Sequence, residues 1–181
     1  MLYRRLRVIS WWLACVLMLH GPAHAADFTT SYELGPGDLI AVQVYDEPDM
    51  SVETRISDRG TISYPFLGEL KVGGLTALQL EDSITSSLKG PYLVDPEVTV
   101  SILEYRPLFV NGEVEKPGGF PFSPGLTVRK AISLAGGFKE RANRSRINVV
   151  RETDPSQAPR AIELEEQVMP GDIITVERSF F

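Results

Sequence analysis

Residues 110–138 carry the signals of a β-hairpin followed by one helix, in the sequence VNGEVEKPGGFPFSPGLTVRKAISLAGGF. A short apolar run leads into a strand that ends at a turn. In that turn Pro117 presets φ for the first central position, and Gly118 accepts the positive φ that follows. Phe120 and Phe122 fit a short return strand at a sheet edge, where neighbouring prolines do little harm. The stretch therefore predicts an edge hairpin.

The second half of this stretch predicts a helix that covers the hairpin. Thr127 is placed to cap the helix N-terminus, because a threonine hydroxyl accepts a hydrogen bond from a free backbone N–H of the first turn. Four apolar residues then recur at helical spacing and form one stripe: Val128, Ala131, Ile132 and Ala135. Gly136 and Gly137 end the helix in the left-handed conformation that glycine allows. We expect a β-grasp-like unit.

The rest of the chain predicts a second unit of the same class. Alternating or branched runs predict strands at 39–45, 52–56, 61–64, 98–102, 146–151 and 173–176, with a further hairpin at 68–72. Thr76 should cap a helix at 77–88, and Pro107 marks the boundary between the units. We therefore expect an α+β fold of two small, mostly antiparallel sheet-plus-one-helix units at 26–106 and 107–181, the second being β-grasp-like.

Two short motifs occur twice. Pro36, Gly37 and Asp38 precede a predicted strand, and the same three residue types return at Pro170, Gly171 and Asp172. Gly-Leu-Thr likewise precedes each predicted helix. Either the two units share one arrangement, or these are common turn and cap solutions that recur by chance. In both cases we expect these residues to set chain geometry.

The first 25 residues have the pattern of a secretory signal peptide. Three arginines precede an apolar stretch at 8–19, and Ala23-His24-Ala25 fits a small-x-small cleavage site. The stretch is shorter than the roughly 20 residues that span a bilayer. We expect cleavage after Ala25. Two alternatives are a retained membrane anchor and lipidation at Cys15, where tryptophan stands in place of the usual lipobox leucine.

Cleavage would remove most of the chemistry that enzymes use. Both histidines, the only cysteine and both tryptophans lie in the leader, and the formal net charge moves from −6 to −9. Neither a nucleophile elbow nor a phosphate loop is present. Adjacent carboxylates at 46–47 and 165–166 suit a solvated surface better than a glycosidase pair. We expect no enzyme activity, catalytic residue, cofactor, metal or nucleic-acid partner.

Two groups of side chains are candidates for contact with a partner. A basic run stands out in the acidic chain: Lys139, Arg141, Arg144 and Arg146. It could bind an anionic glycan, phospholipid headgroups or a neighbouring subunit, or be a solvated loop. Six aromatic residues are expected mainly in the core, with stacking on sugars as the alternative: Tyr45, Tyr64, Phe66, Tyr92, Tyr105 and Phe109.

The motif blocks, taken in order, resemble those of the bacterial outer-membrane polysaccharide export family. Residues 110–114, 116–118 and 135–138 resemble its soluble-ligand-binding β-grasp (SLBB) repeat. Further similar blocks lie at 32–38, 65–70, 74–76, 95–98 and 169–174. The resemblance covers nearly the whole chain after the leader, with a polysaccharide export domain at 26–106 and one SLBB repeat at 107–181.

The resemblance implies a function in the periplasm, in association with the outer-membrane export complex. The chain would form a homo-oligomeric ring that passes polysaccharide from an inner-membrane co-polymerase toward the outer membrane. Longer members end in an amphipathic helix that crosses that membrane, whereas five residues follow the last predicted strand here. A separate outer-membrane β-barrel is therefore expected to complete the route. The alternative is a monomeric periplasmic module that binds or senses a soluble glycan.

Overall fold

A computed structural model describes residues 28–179 of the chain. The predicted signal peptide, its cleavage site and Cys15 lie outside these residues. The elements in chain order are α1 (Phe28–Ser31), β1 (Leu39–Val44), a 3₁₀ turn (Pro48–Met50), β2 (Val52–Arg55), β3 (Thr61–Tyr64), β4 (Gly68–Lys71), α2 (Ala77–Leu88), β5 (Val98–Glu104), β6 (Leu108–Gly112), β7 (Gly118–Phe120), α3 (Val128–Leu134), β8 (Ala142–Val150), β9 (Arg160–Ala161) and β10 (Ile173–Arg178).

The strands form three small sheets. The first has the order β2-β1-β5 and is antiparallel throughout. The second is the β3-β4 hairpin, and the third has the order β7-β6-β10-β8-β9. Only the central β6–β10 pair of the third sheet is parallel. The mixed α+β, mostly antiparallel class predicted from sequence is confirmed.

The first half of the chain differs from the prediction in two respects. Its strands divide into two sheets, because β3 pairs with β4 and not with the β2-β1-β5 sheet. The predicted hairpin at 68–72 is wrong: Gly68–Lys71 is a single strand that pairs with β3. A strand of four residues is too short to form a hairpin by itself. The turn lies between β3 and β4, where Phe66 has a left-handed φ of 62°.

Both main helices begin at the predicted caps. The Thr76 hydroxyl accepts the Gln79 N–H at 3.2 Å, and the Gln79 side chain accepts the Thr76 N–H at 2.9 Å. This reciprocal pair is a capping box, which satisfies two otherwise free donors. Thr127 caps α3 by a single, longer bond of 3.4 Å. Helix α3 buries its predicted apolar stripe, and α2 buries Leu80, Ile84 and Leu88.

The buried apolar side chains form two hydrophobic clusters, one around each of the two main helices. One surrounds α2 and includes Leu80 and Ile84; the other surrounds α3 and includes Val128 and Ile132. Phe28 packs against both clusters, and so does Tyr105, which lies between β5 and β6. We propose the domain division at Pro107 on this basis, with the two cores joined through aromatic side chains.

The two Pro-Gly-Asp turns have the same hydrogen bonds. The Asp38 carboxylate accepts the Gly35 N–H at 2.8 Å, and the Asp172 carboxylate accepts the Met169 N–H at 2.8 Å. Each aspartate N–H also donates to the carbonyl of that same partner, at 3.2 Å in both turns. Both aspartates are buried. The repeated motif therefore specifies one local structure twice.

The equivalence extends to the segments that precede the helices. The Leu34 N–H donates to the Leu75 carbonyl at 2.8 Å, and the Val168 N–H donates to the Leu126 carbonyl at 3.0 Å. In each case the residue two positions before the proline of a Pro-Gly-Asp turn is joined to the residue before a cap threonine. The two motifs occur in opposite order along the chain in the two units. They nevertheless form the same arrangement in space.

Candidate functional site

Arg106 is a buried cation at the junction of the two units. It lies between β5 and β6 and is 8% exposed, while Asp38 beside it is fully buried. The Arg106 backbone N–H donates to Asp38 Oδ1 at 2.7 Å, and its Nη1 lies 3.2 Å from Asp38 Oδ2. The same Nη1 donates to the Tyr32 hydroxyl at 2.7 Å. The first unit thus supplies two partners to one guanidinium.

The second unit supplies the remaining partner. Arg106 Nε donates to Glu152 Oε2 at 2.8 Å, and Glu152 follows β8. Two glycines allow this close packing: a Cβ at Gly35 would overlap Arg106 Nη1, and a Cβ at Gly171 would overlap the Glu152 carboxylate. One arginine therefore binds the Asp38 turn and lies beside the Gly171 turn. We call Tyr32, Asp38, Arg106 and Glu152 the junction cluster.

Burial raises the pKa of two groups, one in this cluster and one beside it. The pKa of the Tyr32 phenol is raised, first by burial and then by its hydrogen bond to the Asp38 carboxylate. The pKa of Asp172 is also raised by burial, against the opposing effects of the Met169 N–H and of nearby arginines. Tyr32 is therefore a neutral donor, at 2.7 Å from Asp38 Oδ2. The arrangement fixes geometry and presents no nucleophile with an adjacent base.

A cavity of about 390 Å³ opens on one side of the junction cluster. It lies between the Pro36-Gly37 turn of the first unit and the five-stranded sheet of the second. Its walls are mostly apolar, and Arg106, Glu152 and Gln157 supply polar groups. A second cavity, of about 260 Å³, is lined by Tyr32, Arg106 and Glu152 with residues of both units. Within residues 28–179, no group of acidic side chains is arranged to hold a metal ion.

The predicted basic run gathers at the start of β8. Lys139 and Arg141 lie in the connection after α3, and neither makes an ion pair with a described residue. Arg144 lies over the Phe138 ring, 5.5 Å from its centroid, and Arg146 is 3.8 Å from Glu177. Arg178, which the sequence prediction missed, joins the group because it pairs with Ala142 across the β8–β10 ladder. We call Lys139, Arg141, Arg144, Arg146 and Arg178 the basic patch.

The remaining predicted geometric residues lie around the edge hairpin. Gly136 and Gly137 have the expected left-handed φ values of 84° and 94° after α3. Pro117 precedes β7, and Gly118 begins that strand with a φ of 159°, close to the extended region. Sequence reasoning missed Gly112, where a Cβ would overlap the Val176 carbonyl. The close β6–β10 approach is the reason for glycine there.

The aromatic residues are less buried than expected. Tyr64 is in the core and Tyr105 is half-buried. The expectation of core positions is wrong for the other four, which are substantially exposed: Tyr45 (77%), Phe66 (56%), Tyr92 (45%) and Phe109 (42%). Alternating strand positions and turn tips place these rings on the outside, where β propensity gives no information about burial. Across the described residues, no helix has the length and apolar character needed to cross a membrane.

Comparison with known proteins places two family matches along the chain. The polysaccharide biosynthesis/export protein family matches residues 26–103, and the SLBB domain matches residues 107–163. Their order is the one that the sequence motifs indicate. The junction cluster has members in or beside both matched segments.

Three relatives illustrate the similarity. Exopolysaccharide production protein ExoF of Rhizobium meliloti (strain 1021) is 30% identical over 154 residues, which cover 77% of this chain and 37% of the relative. EPS I polysaccharide export outer membrane protein EpsA of Ralstonia solanacearum is 30% identical over 149 residues, 67% of this chain and 39% of the relative. Polysialic acid transport protein KpsD of Escherichia coli is 29% identical over 135 residues, 67% of this chain and 24% of the relative. The chain thus spans well under half the length of each.

Proposed function

Because the chain belongs to the polysaccharide export protein family, we propose that it is a periplasmic, outer-membrane-associated component of an exopolysaccharide or capsule export machine. It forms a homo-oligomeric ring through which the polymer passes. The family is one of non-enzymatic export proteins, in agreement with the prediction that no bond is made or broken by this chain. The observation that carries the proposal is the ordered pair of family matches on two joined cores.

The junction cluster gives this proposal a physical basis. A conduit needs subunits whose two units keep a fixed relative orientation, because each layer of the ring must close with the same rotation. Arg106 is hydrogen-bonded to Tyr32, Asp38 and Glu152, and these partners come from both units. Breaking such a buried pair is costly. The cluster therefore favours one orientation of the polysaccharide export unit relative to the SLBB unit.

The proposed route has a partner at each end. An inner-membrane co-polymerase delivers the polymer to the ring, and a separate outer-membrane β-barrel receives it. The basic patch would contact an acidic surface, either on a neighbouring subunit or on the polymer. The relatives are more than twice as long as the part that this chain matches. The partners at both ends of the route are therefore proposed for this chain.

Deletion of the gene tests the proposed function. We expect the deletion strain to synthesise the polymer and retain it inside the envelope, with surface polymer restored by the full chain. Surface and cell-retained polymer are quantified separately by a carbohydrate stain after fractionation. Undiminished surface polymer in the deletion strain would refute an export role. Loss of total polymer, with none retained, would indicate a role in synthesis instead.

A monomeric glycan-binding module is the second candidate function. The observation in its favour is the cavity of about 390 Å³ with both apolar and polar walls, which is within the range of small-ligand sites. Saturable binding of short oligosaccharides by a chain that stays monomeric in polymer-producing cells would favour this candidate. The two candidates share a fold and differ in assembly.

A further inference from the structure

One face of the five-stranded sheet lies away from α3 and carries a row of apolar side chains. Phe109 in β6 is opposite Ile173 in β10, and Ile173 is opposite Val150 in β8. Phe109 and Ile173 are 42% and 39% exposed, whereas Val110, Ile174 and Val149 on the other face are buried. We call the exposed side of β6, β10 and β8 the outer face. Its apolar row forms one wall of the 390 Å³ cavity.

Phe109 lies across a glycine. It pairs with Gly119 in the edge strand β7, and a Cβ at Gly119 would come 3.2 Å from the Phe109 ring. The ring therefore covers the backbone of the neighbouring strand, as aromatic side chains do opposite edge glycines. This contact holds one side of the ring on the sheet and leaves the rest open to the cavity. An aromatic surface of this kind can stack on the apolar face of a sugar ring.

A second row on the outer face consists of neutral hydrogen-bonding groups. Asn111 and Thr175 follow Phe109 and Ile173 by two residues, and Asn148 precedes Val150 by two. Thr175 pairs with both asparagines across the ladders. Amide and hydroxyl groups both donate and accept hydrogen bonds, which is what sugar hydroxyls require. On the cavity side of the apolar row, Glu152 and Gln157 line the rim. Polar groups therefore flank the apolar row on two sides.

We propose that the outer face is a polysaccharide-contact strip, on which one sugar unit of the polymer stacks on Phe109 and its neighbours hydrogen-bond to Asn111, Thr175 and Asn148. This inference rests on the proposed export function and assigns a contact site for the polymer within it. The composition favours a glycan over a protein partner. A typical protein interface buries about 800 Å² per partner with an apolar core, whereas the apolar row here consists of three side chains flanked by hydrogen-bonding groups, among them the Glu152 carboxylate.

Site-specific photo-crosslinking in polymer-producing cells tests the strip. The full chain carries p-benzoylphenylalanine in place of Ile173, on the outer face. The matched control carries it in place of Leu134, which is 49% exposed on α3, the helix on the opposite side of the same sheet. After irradiation and denaturing purification, we expect a carbohydrate-stained adduct at position 173 and none above background at position 134.

The other outcomes overturn the proposal. A product with the mass of two chains would identify the outer face as a contact between subunits, and an adduct with a different protein would identify a protein-docking surface. Absence of any adduct, or equal carbohydrate yields at both positions, would exclude a polymer contact there. In the Ile173-labelled chain, the added change Phe109→Ala should lower the carbohydrate yield about fivefold, since the stacking surface is lost.

A failure of the polysaccharide-contact strip can be distinguished from a failure of the proposed export function. If deletion of the gene blocks export but position 173 gives no carbohydrate adduct, the strip is wrong and the export function stands. If deletion leaves surface polymer unchanged, the export function fails whatever the crosslinking shows. Both labelled chains are first required to restore export in the deletion strain, so that a misfolded chain is not scored.

Discussion

Asp38 accepts the Arg106 backbone N–H at 2.7 Å through one carboxylate oxygen and lies 3.2 Å from the Arg106 guanidinium through the other. One buried residue of the first unit therefore binds both the main chain and the side chain of the segment that connects the units. Arg106 continues this contact to Glu152 in the second unit. A single buried charge is therefore bonded to partners from both units.

Arg106→Met should strongly destabilise the protein. The substitution leaves Asp38 buried without its cation, and removing one member of a buried pair typically costs about 3–5 kcal/mol. The free energy of unfolding is measured by urea denaturation of the exported chain. The control is Arg129→Met, which breaks an exposed pair with Glu165 and should cost about 0–1 kcal/mol. Equal losses in the two variants would show that the junction cluster does not contribute as described.

Asp172→Asn should change the pH dependence of stability. Burial raises the pKa of Asp172 in the folded chain above its usual 3.8. As pH rises from 3.8 toward the folded-state pKa, the unfolded chain releases this proton first, so ionisation favours unfolding. Wild-type protein should therefore lose stability relative to Asp172→Asn as pH rises above about 4.

The quantity to measure is the difference in unfolding free energy between wild type and Asp172→Asn at several pH values from 3 to 7. A difference that does not vary with pH, or that moves in favour of wild type as pH rises, would contradict a raised pKa. Asp154→Asn is a suitable control, because its carboxylate is exposed and its pKa is lowered by Ser156. For this control, wild type should gain stability relative to Asp154→Asn as pH rises.

Gly112→Ala should separate β6 from β10. Gly112 has a φ of 83°, and an added Cβ would overlap the Val176 carbonyl in the adjacent strand. Gly74→Ala is the matched control, because Gly74 has a φ of 85° and open space around it. The control should cost about 1–2 kcal/mol from backbone strain alone. We expect Gly112→Ala to lower the free energy of unfolding by at least about 3 kcal/mol. Unfolding by heat or by urea measures this loss.

Charge reversal in the basic patch should weaken assembly. Neither Arg141 nor Arg144 makes an ion pair with a described residue, and Arg144 lies over the Phe138 ring, so both charges are available to an acidic partner. The double change Arg141→Glu and Arg144→Glu should reduce the oligomeric fraction and the surface polymer, most strongly at low ionic strength. Arg59→Glu, in an exposed turn of the first unit, is the control. Unchanged assembly and export would mark the patch as a solvated surface.

The sequence was sufficient where the signal was local. Strand Thr61–Tyr64 and helix Ala77–Leu88 have the predicted bounds, because alternation, a capping threonine and an apolar stripe all lie within a few residues of each element. The duplicated turns were visible for the same reason. The pairing of β4 with β3 was not visible, since pairing between strands is not contained in the pattern of either strand.

The junction cluster could not be predicted because it depends on contacts distant in sequence. Arg106 is 68 residues from Asp38 and 46 from Glu152, and an isolated arginine before Pro107 gives no sign of burial. The available signal was a repeated aspartate in a turn next to a buried strand, since a buried carboxylate requires donors. Similarly, the outer face appears only when β6 and β10 pair in parallel and bring Phe109 opposite Ile173.

A closed ring is the central claim of the export account, and the molar mass of the assembled protein tests it most directly. The full chain is extracted from the envelopes of polymer-producing cells and measured by light scattering across a concentration series. We expect a single discrete multiple of the monomer mass that does not change on dilution. A monomer at every concentration in that extract would contradict the ring and favour the glycan-binding module.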